Sequence, residues 1–438
     1  MTVSHTRQNC VDNGNLKRQG QTIARIGKKY LPIAAAAVLL AAALTVGSLA
    51  RKPVNPSPVS RNTAATASEA ATADETLDDM RGVWVTYMDL SMEYESDKSE
   101  AAFRSKFAEI ADACADFGFN TLVVQVRPFC DALYKSALYP ASHILSGEQG
   151  KDAGYDALKI MCETCRSRGL KIHAWVNPYR VTANDVPKKL SSDNPYVKNP
   201  GICLECESGV VLDPSSEEAR RMIEDGVEEI VKNYDIDGVQ FDDYFYPPDT
   251  GDADSESYRE YAEAAKGEVM PLADWRRNNV NLLIAETYIR IHSASPSVVF
   301  GISPQGNLKN NDMLSADVIN WCGKRGFIDY ICPQLYFSPD NPRLGFEEAL
   351  DEWQQLDFAA GVRMYVGLAG YKAGSDADEG TWLDGGEILA SEYRMLKNSD
   401  RVSGFMLYSY ASLCDGDAEY EIENLKKSLT DQASSASQ

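Results

Sequence analysis

Two adjacent aspartates, Asp242 and Asp243, are the residues of this sequence best suited to chemistry. They follow a short run, DIDGVQF, whose composition is typical of a β-strand. A like charge at this distance raises the pKa of one of the two carboxyl groups, as a catalytic acid requires. We therefore predict acid/base catalysis by this pair, with Asp242 favoured as the acid. In the alternative interpretation, one aspartate only orders a loop through Arg127 or Arg180.

The alternation of this strand indicates where its side chains point. Successive strand residues face opposite sides, so Val239 and Phe241 share one face. Gln240, Asp242 and Tyr244 share the other face. Apolar side chains are expected to pack against helices, which leaves the polar face toward the axis of a barrel. The same alternation gives three further predicted strands a polar face. The polar residues are Gln125 and Arg127 in one strand, His173, Trp175 and Asn177 in the next, and Gln334 and Tyr336 in the third.

The elements that position these residues follow a repeating pattern. Between residues 81 and 430, eight short β-type runs alternate with amphipathic helical runs, which predicts an α/β fold, a closed (β/α)8 TIM barrel. An open doubly wound sheet would need a glycine-rich turn after its first strand, and the sequence has none. In a TIM barrel, functional residues lie at the C-terminal strand ends, where the polar residues accumulate here. The predicted strands are 82–90, 121–127, 171–177, 237–243, 298–303, 328–335, 363–370 and 404–410.

Two of the intervening helices have recognisable ends. The segment SSEE at 215–218 is typical of a capping box, so a helix is predicted to begin there. Gly118 follows an apolar stripe that ends at Phe117, and we predict that it is a helix C-cap.

The first 80 residues differ in composition from the rest. A basic segment precedes an uncharged run, residues 31–50, which is long enough to span a bilayer. The basic residues predict a cytoplasmic N-terminus and an extracytoplasmic remainder. Ser48-Leu49-Ala50 fits a cleavage site, so a signal peptide, and hence secretion, competes with an anchor in the cell membrane. The predicted organisation is a cytoplasmic tail (1–30), a transmembrane anchor or signal segment (31–50), a flexible linker (51–79), a catalytic domain (80–430) and a disordered tail (431–438).

Charge and composition exclude several classes of function. With 43 Lys and Arg against 65 Asp and Glu, the net charge of −22 argues against a nucleic-acid partner. Cys162-x-x-Cys165 and Cys203-x-x-Cys206 are separated by more than the roughly 12–20 residues of zinc ribbons, so we interpret them as core thiols or a disulfide. The acidic stretch 249–263 has Ser257 where a calcium loop requires glycine. We predict no metal and no cofactor.

Nine segments resemble bacterial glycoside-hydrolase-like family 10, which is distinct from the family 10 xylanases. The resemblance extends from about Arg81 to Tyr410. It implies a TIM-barrel hydrolase of the cell envelope, and some members of the family resemble hydrolases of peptidoglycan strands stripped of stem peptides. Family members are often lipoproteins, but here the expected lipobox cysteine directly after the apolar run is missing. The segments are RGVWVTYMDL, FNTLVVQVRPFCDALYKSALYPAS, GLKIHAWVNPYRV, VVLDPSSEEAR, DIDGVQFDDYFYP, DWRRNNVNLLI, FGISPQGN, IDYICPQLYF and GFMLYSY.

Glycosidic hydrolysis generally uses two carboxyl groups, one as the acid and one as base or nucleophile. Asp242 is the candidate for the first. The second is left open among Asp243, Asp89, Asp131 and Asp415. Asp242 and Asp243 can act together only if the strand ends or bulges between them, because neighbouring strand residues point in opposite directions. A chitinase-type mechanism lacks its acid, since Tyr244 stands where that pattern has glutamate.

Further residues at the strand ends are candidates for binding a glycan. Aromatic rings offer flat apolar faces to sugar rings, and amide, hydroxyl and guanidinium groups bond hydroxyl or acetamido groups. The aromatic candidates are Trp84, Trp175, Tyr179, Tyr244, Tyr246, Tyr336 and Tyr408, and the polar ones are Gln125, Arg127, Asn177, Arg180, Gln240, Ser303, Gln305 and Gln334.

Together these features predict a glycoside hydrolase that acts on cell-wall glycan, with peptide-free peptidoglycan strands as the expected substrate. One alternative is a non-catalytic glycan-binding barrel that tethers the membrane to the wall. Another is a hydrolase of exopolysaccharide.

Overall fold

The structure, a computed structural model, describes residues 79–383 and 386–435. The predicted basic tail, the anchor and residues 51–78 of the linker lie outside the described residues, as do residues 436–438. Among the described helices, none is long and apolar enough to cross a bilayer.

Eight parallel strands form a closed barrel. The strands in chain order, including those of a small hairpin (β4 and β5), are β1 (Met80–Val85), β2 (Thr121–Arg127), β3 (Lys171–Val176), β4 (Cys203–Cys206), β5 (Gly209–Leu212), β6 (Gly238–Phe241), β7 (Val299–Ile302), β8 (Tyr330–Ile331), β9 (Arg363–Leu368) and β10 (Val402–Leu407). The barrel closes because β1 pairs with both β2 and β10. Each barrel strand overlaps one predicted strand, so the predicted TIM barrel is confirmed.

Helices surround the barrel and also occupy its connections. They are α1 (Tyr87–Leu90), α2 (Glu100–Phe117), α3 (His143–Ser146), α4 (Ala157–Arg166), α5 (Pro195–Lys198), α6 (Glu217–Asn233), α7 (Ser255–Ala264), α8 (Leu272–Ala294), α9 (Asn310–Met313), α10 (Val318–Gly323), α11 (Phe346–Gln354), α12 (Ile388–Lys397) and α13 (Glu419–Ser435). The predicted helix start and C-cap are confirmed, because Ser216 accepts a bond from the backbone of Ala219 at the start of α6 and Gly118 ends α2 with φ of 107°. The cap of α6 is a single bond and not the predicted capping box, since its third residue is Ala219 and not a glutamate. The last helix extends beyond residue 430, where the domain was predicted to end.

The hairpin β4–β5 lies in the connection after β3 and was not predicted. Its strands are antiparallel and joined by Glu207 and Ser208. It packs against the chain that follows β3, because Val211 forms an isolated bridge with Arg180. Cys203 and Cys206 lie at the two ends of β4 as free thiols. The hairpin therefore positions the segment that carries Arg180.

The barrel interior holds a separate apolar cluster and a short polar chain. The Trp84 indole donates to Gln240 Oε1 at 2.6 Å, and Gln240 Nε2 lies 3.3 Å from the Tyr330 hydroxyl. That hydroxyl lies 3.0 Å from His173 Nδ1. Burial lowers the pKa of His173 to about 3, so its ring is neutral. The interior cluster consists of Met80, Trp84, Val123, Trp175, Val299, Tyr330, Cys332, Tyr365 and Met406.

Candidate active site

Asp242 and Asp243 lie together at the C-terminal mouth of the barrel. Strand β6 ends at Phe241, so both aspartates follow the last strand residue and the alternation of faces no longer separates them. Each is 4% exposed. The two aspartates could act as a pair only if the strand did not separate their side chains, and its end at Phe241 meets this condition.

Asp242 turns toward β3. Its Oδ2 accepts a hydrogen bond from the Asn177 amide and a longer one, of 3.4 Å, from the Trp175 indole. The backbone N–H of Tyr244 donates to Oδ1 at 3.2 Å. Gln125 Nε2 donates to Asn177 Oδ1 at 2.6 Å, so a second layer fixes the amide that holds Asp242.

Asp243 turns the other way, toward the ends of β7 and β8. Gln305 Nε2 donates to its Oδ2, and Gln334 Nε2 donates to its Oδ1 at 3.2 Å. The same Gln334 amide also donates to the carbonyl of Ser303 at 3.0 Å. The buried hydroxyl of Ser303 has no hydrogen-bond partner within residues 79–383 and 386–435. Two amides therefore hold one carboxylate on this side of the mouth.

The surroundings of the pair change its proton affinity. Burial raises the pKa of Asp242 to about 7, an effect that the Arg180 cation opposes and the charge of Asp243 reinforces. Burial also raises the pKa of Asp243, against the amide bond from Gln305 that favours its ionised form. A carboxyl group with a pKa near 7 can hold and release a proton at neutral pH, which is what a general acid needs.

Three tyrosines form a wall beside the aspartates. Tyr336, Tyr371 and Tyr408 follow β8, β9 and β10, and each pair of rings has its centroids 5.7 Å apart. All three side chains are half-buried, so part of each remains accessible. Tyr371 was not predicted. The signal was available, because it follows its strand as Tyr336 and Tyr408 follow theirs.

Arg180 and Tyr244 stack near Asp242. The Arg180 guanidinium carbon lies 4.1 Å from the centre of the Tyr244 ring and 5.9 Å from that of Phe129. Tyr244 is 50% exposed. Both predicted residues therefore lie at the mouth, where a ligand can reach them.

The prediction that Arg127 faces the barrel axis is wrong. A β-bulge at Val126 shifts the register, so that Gln125 pairs with Trp175 but Arg127 pairs with Val176, on the outward face. The guanidinium donates to the carbonyls of Asn177 and Pro178, and it lies 4.7 Å from the centre of the Tyr139 ring. Arg127 therefore supports the chain below Asn177 from outside the barrel.

Four other predicted binding residues are buried away from the opening. Tyr179 and Tyr246 are at most 1% exposed and belong to the core between barrel and helices. Trp84 and Gln240 lie inside the barrel, where their side chains bond to each other. The outer core covers Tyr179 and Tyr246, and the barrel interior covers Trp84 and Gln240. These four side chains are therefore not open to a ligand.

The other acids considered as a second carboxylate have different surroundings. Asp89 caps α1 by accepting bonds from the backbone and hydroxyl of Thr86, and burial raises its pKa to about 6. Asp131 is fully buried, where His143 Nδ1 lies 3.1 Å from its Oδ2. Asp415 bonds to the backbone of Asp417 in an exposed loop. Among these candidates, Asp243 is the one that directly follows Asp242 and has amide donors on both oxygens.

The sequence matches a known protein family. The family described as glycosyl hydrolase-like 10 matches residues 79–384. The chain belongs to this family. It is 35% identical over 354 residues to glycosyl hydrolase YngK of Bacillus subtilis (strain 168), which covers 76% of this chain and 69% of YngK. It is 32% identical over 418 residues to glycosyl hydrolase DigH of Escherichia coli (strain K12), which covers 87% of this chain and 93% of DigH.

A solved structure shares the fold. The glycoside hydrolase domain of PgaB (BpsB) from Bordetella bronchiseptica is similar with a TM-score of 0.54, at 14% identity, over 79% of this chain and 99% of that one. At this identity the likeness concerns the barrel alone. Family membership identifies the chain as a glycoside hydrolase, as the sequence predicted.

Proposed function

We propose that the chain hydrolyses bacterial cell-wall glycan, with peptide-free peptidoglycan strands as its substrate. The observation that carries the proposal is the pair of buried aspartates at the barrel mouth, with Asp242 near its protonation midpoint at neutral pH. A family of glycosyl hydrolases on a TIM barrel is expected to place its acids at this end of the strands.

The two aspartates take different parts in the proposed reaction. Asp242, protonated, transfers its proton to the leaving glycosidic oxygen as the bond to the anomeric carbon breaks. Asp243, which accepts bonds from two amides, acts in its ionised form. It either takes a proton from the water that attacks the anomeric carbon, or it attacks that carbon itself to form a glycosyl ester that water then hydrolyses. The tyrosine wall of Tyr336, Tyr371 and Tyr408 offers apolar ring faces to the sugar.

The test is cleavage of peptide-free peptidoglycan strands by the full-length chain, with new reducing ends detected by mass spectrometry. We expect Asp242→Asn to lower the rate by about 10²–10⁴-fold, the usual contribution of general acid/base catalysis. Asp252→Asn, at an exposed aspartate of the loop after β6, is the matched control and should cleave as the native chain does. Equal cleavage by Asp242→Asn would exclude Asp242 as the acid. Binding without cleavage by the native chain would favour the tethering alternative.

We also propose that the barrel works in the cell envelope, outside the cytoplasm. The uncharged run 31–50 after a basic segment supports this location, either as an anchor in the cell membrane or as a cleaved signal that leads to secretion. Fractionation of cells that express the full-length chain tests it. An anchored chain is expected in the membrane fraction after an alkaline wash, and a cleaved one in the medium or wall fraction. Recovery in the cytoplasmic fraction would contradict the proposal.

A further inference from the structure

Arg180 is held firmly at the barrel mouth by its backbone and its neighbours. Its carbonyl accepts a bond from the backbone of Cys130 at 2.9 Å, and its backbone bridges to Val211 of the hairpin β4–β5. The guanidinium carbon lies over the Tyr244 ring, 4.1 Å from its centre, and 5.9 Å from the centre of the Phe129 ring. A stacked guanidinium loses little further freedom when its N–H groups bind an acceptor.

In the part of the chain that the structure describes, the charge of Arg180 has no acid paired with it. Within residues 79–383 and 386–435, no carboxylate forms an ion pair with it, although its cation influences the pKa of both Asp242 and Asp243. Two other arginines of the barrel connections are paired with acids. Arg220 Nε lies 2.8 Å from Glu286, and Arg276 is paired with the buried Asp254.

An unpaired guanidinium of this kind matches one class of ligand group. Its N–H groups form a fork that fits the two oxygens of a carboxylate, and such charge-assisted bonds are stronger than those to a hydroxyl. The whole chain carries a charge of −22, which repels acidic ligands at long range. A cation within the mouth is therefore needed if the substrate itself is acidic.

We propose that Arg180 binds a free carboxylate carried by a sugar next to the scissile bond, and so selects acidic glycans. This inference rests on the proposed function and specifies its substrate class. In peptide-free strands each lactyl ether ends in a free carboxylate, whereas an attached stem peptide converts it to an amide. A uronic acid presents the same group, so the two sources must be separated by experiment.

The test uses the full-length chain and compares glycans that carry a free carboxylate with glycans that lack one. Peptide-free strands are assayed beside the same strands with their lactyl carboxylates converted to methylamides, and beside neutral chitin oligosaccharides and a β-linked N-acetylglucosamine–glucuronate oligosaccharide. Affinity is measured by calorimetry and cleavage by mass spectrometry. We expect the native chain to bind the methylamide strands about 10- to 100-fold more weakly, as expected for loss of a hydrogen bond to a charged group. Binding of the glucuronate oligosaccharide in place of the strands would assign the carboxylate to a uronic acid.

Two variants assign the effect to Arg180. Arg180→Gln should raise KM for the native strands and remove most of the preference over the methylamide strands, while Arg180→Lys should keep part of it. Arg401→Gln is the control, because Arg401 also stacks on an aromatic ring, that of Phe358, but lies on an exposed surface. The inference is wrong if the native chain binds both kinds of strand equally, or if Arg180→Gln discriminates as well as the native chain.

The outcomes also separate this inference from the proposed function. If the native chain cleaves chitin oligosaccharides as well as it cleaves the acidic strands, the hydrolase stands and the role of Arg180 falls. If it cleaves none of the glycans, the proposed function falls, and the affinities still decide whether Arg180 reads a carboxylate. Should Arg180→Gln not fold, the comparison of the two kinds of strand with the native chain decides.

Discussion

Asp242 is a carboxylic acid whose surroundings bring its pKa to the pH at which most cells work. Burial is the largest cause of the shift to about 7, and the Arg180 cation opposes it. If Asp242 must carry a proton to act, kcat/KM should fall as pH rises through about 7, by roughly tenfold per unit well above the pKa. The measurement is kcat/KM on peptide-free strands between pH 5 and 9.

The same measurement on a variant tests whether the alkaline limb belongs to Asp242. Arg180→Gln removes the cation that favours the ionised form, so the limb should move to higher pH. Arg401→Gln should leave it in place. A native profile that stays flat from pH 6 to 9 would show that the acid is a different group.

At the residue scale, strand alternation predicted the direction of several side chains of the candidate site. Gln125, Trp175 and Asn177 point as predicted, because β3 and most of β2 are regular. Arg127 does not, since alternation holds only while the register is kept and the bulge at Val126 breaks it. Nothing in the sequence around Val126 marks that bulge.

At the scale of the elements, the strands approach each other so closely that some positions accept no side chain. A Cβ built on Gly301 of β7 would lie 2.1 Å from the Tyr330 ring. That ring cannot move freely, because its hydroxyl contacts His173 Nδ1 at 3.0 Å and Gln240 at 3.3 Å. We expect Gly301→Ala to lower the free energy of unfolding by about 1–3 kcal/mol, as overpacked cores do.

Chemical denaturation followed by circular dichroism measures this change. Gly267→Ala is the matched control, since no atom lies within 4 Å of a Cβ at that position. It should change the free energy of unfolding by less than about 0.5 kcal/mol. If Gly301→Ala and Gly267→Ala change the free energy of unfolding equally, the close contact between β7 and Tyr330 does not determine the stability of the barrel.

The elements that the sequence missed depend on signals that are weak or absent. The hairpin β4–β5 turns through Glu207 and Ser208, whereas two-residue hairpin turns are usually marked by Asn-Gly or Asp-Gly. Strand β8 is shorter than predicted. Pro333 has no N–H to donate to a ladder, so the pairing beyond it continues only as isolated bridges of Gln334.

At the scale of the whole molecule, the barrel explains why residues from distant parts of the chain form one site. Asn177, Asp242, Gln305 and Gln334 follow four different strands, and parallel strands of a closed barrel end at the same face. The repeat of eight strands was therefore enough to predict the fold and the face of the site. The second carboxylate could not be chosen from the sequence, because that choice depends on where β6 ends.

The stability of the whole chain should depend on a buried acid outside the site. Glu392 of α12 is fully buried, and neither of its carboxyl oxygens has a hydrogen-bond partner among the described residues. Burial raises its pKa well above the usual value, reinforced by the charge of Glu421 on α13 and opposed by Lys372, with Asp378 as a further neighbour. The folded chain therefore holds this proton more tightly than the unfolded chain does. Its contribution to stability is complete below the pKa of an unfolded glutamate, near 4.3, and is lost as pH rises toward the folded pKa.

Glu392→Gln should remove that loss, because glutamine has a similar shape and no charge to bury. We expect the variant to be more stable than the native chain at pH 8 and close to it at pH 4.5, with a gap that grows by up to about 1.4 kcal/mol per pH unit. The measurement is the free energy of unfolding in urea at several pH values. Glu423→Gln, at an exposed glutamate of α13, is the control and should show no such growth. A constant difference between the native chain and Glu392→Gln across this range would mean that Glu392 ionises in the folded chain as it does in water.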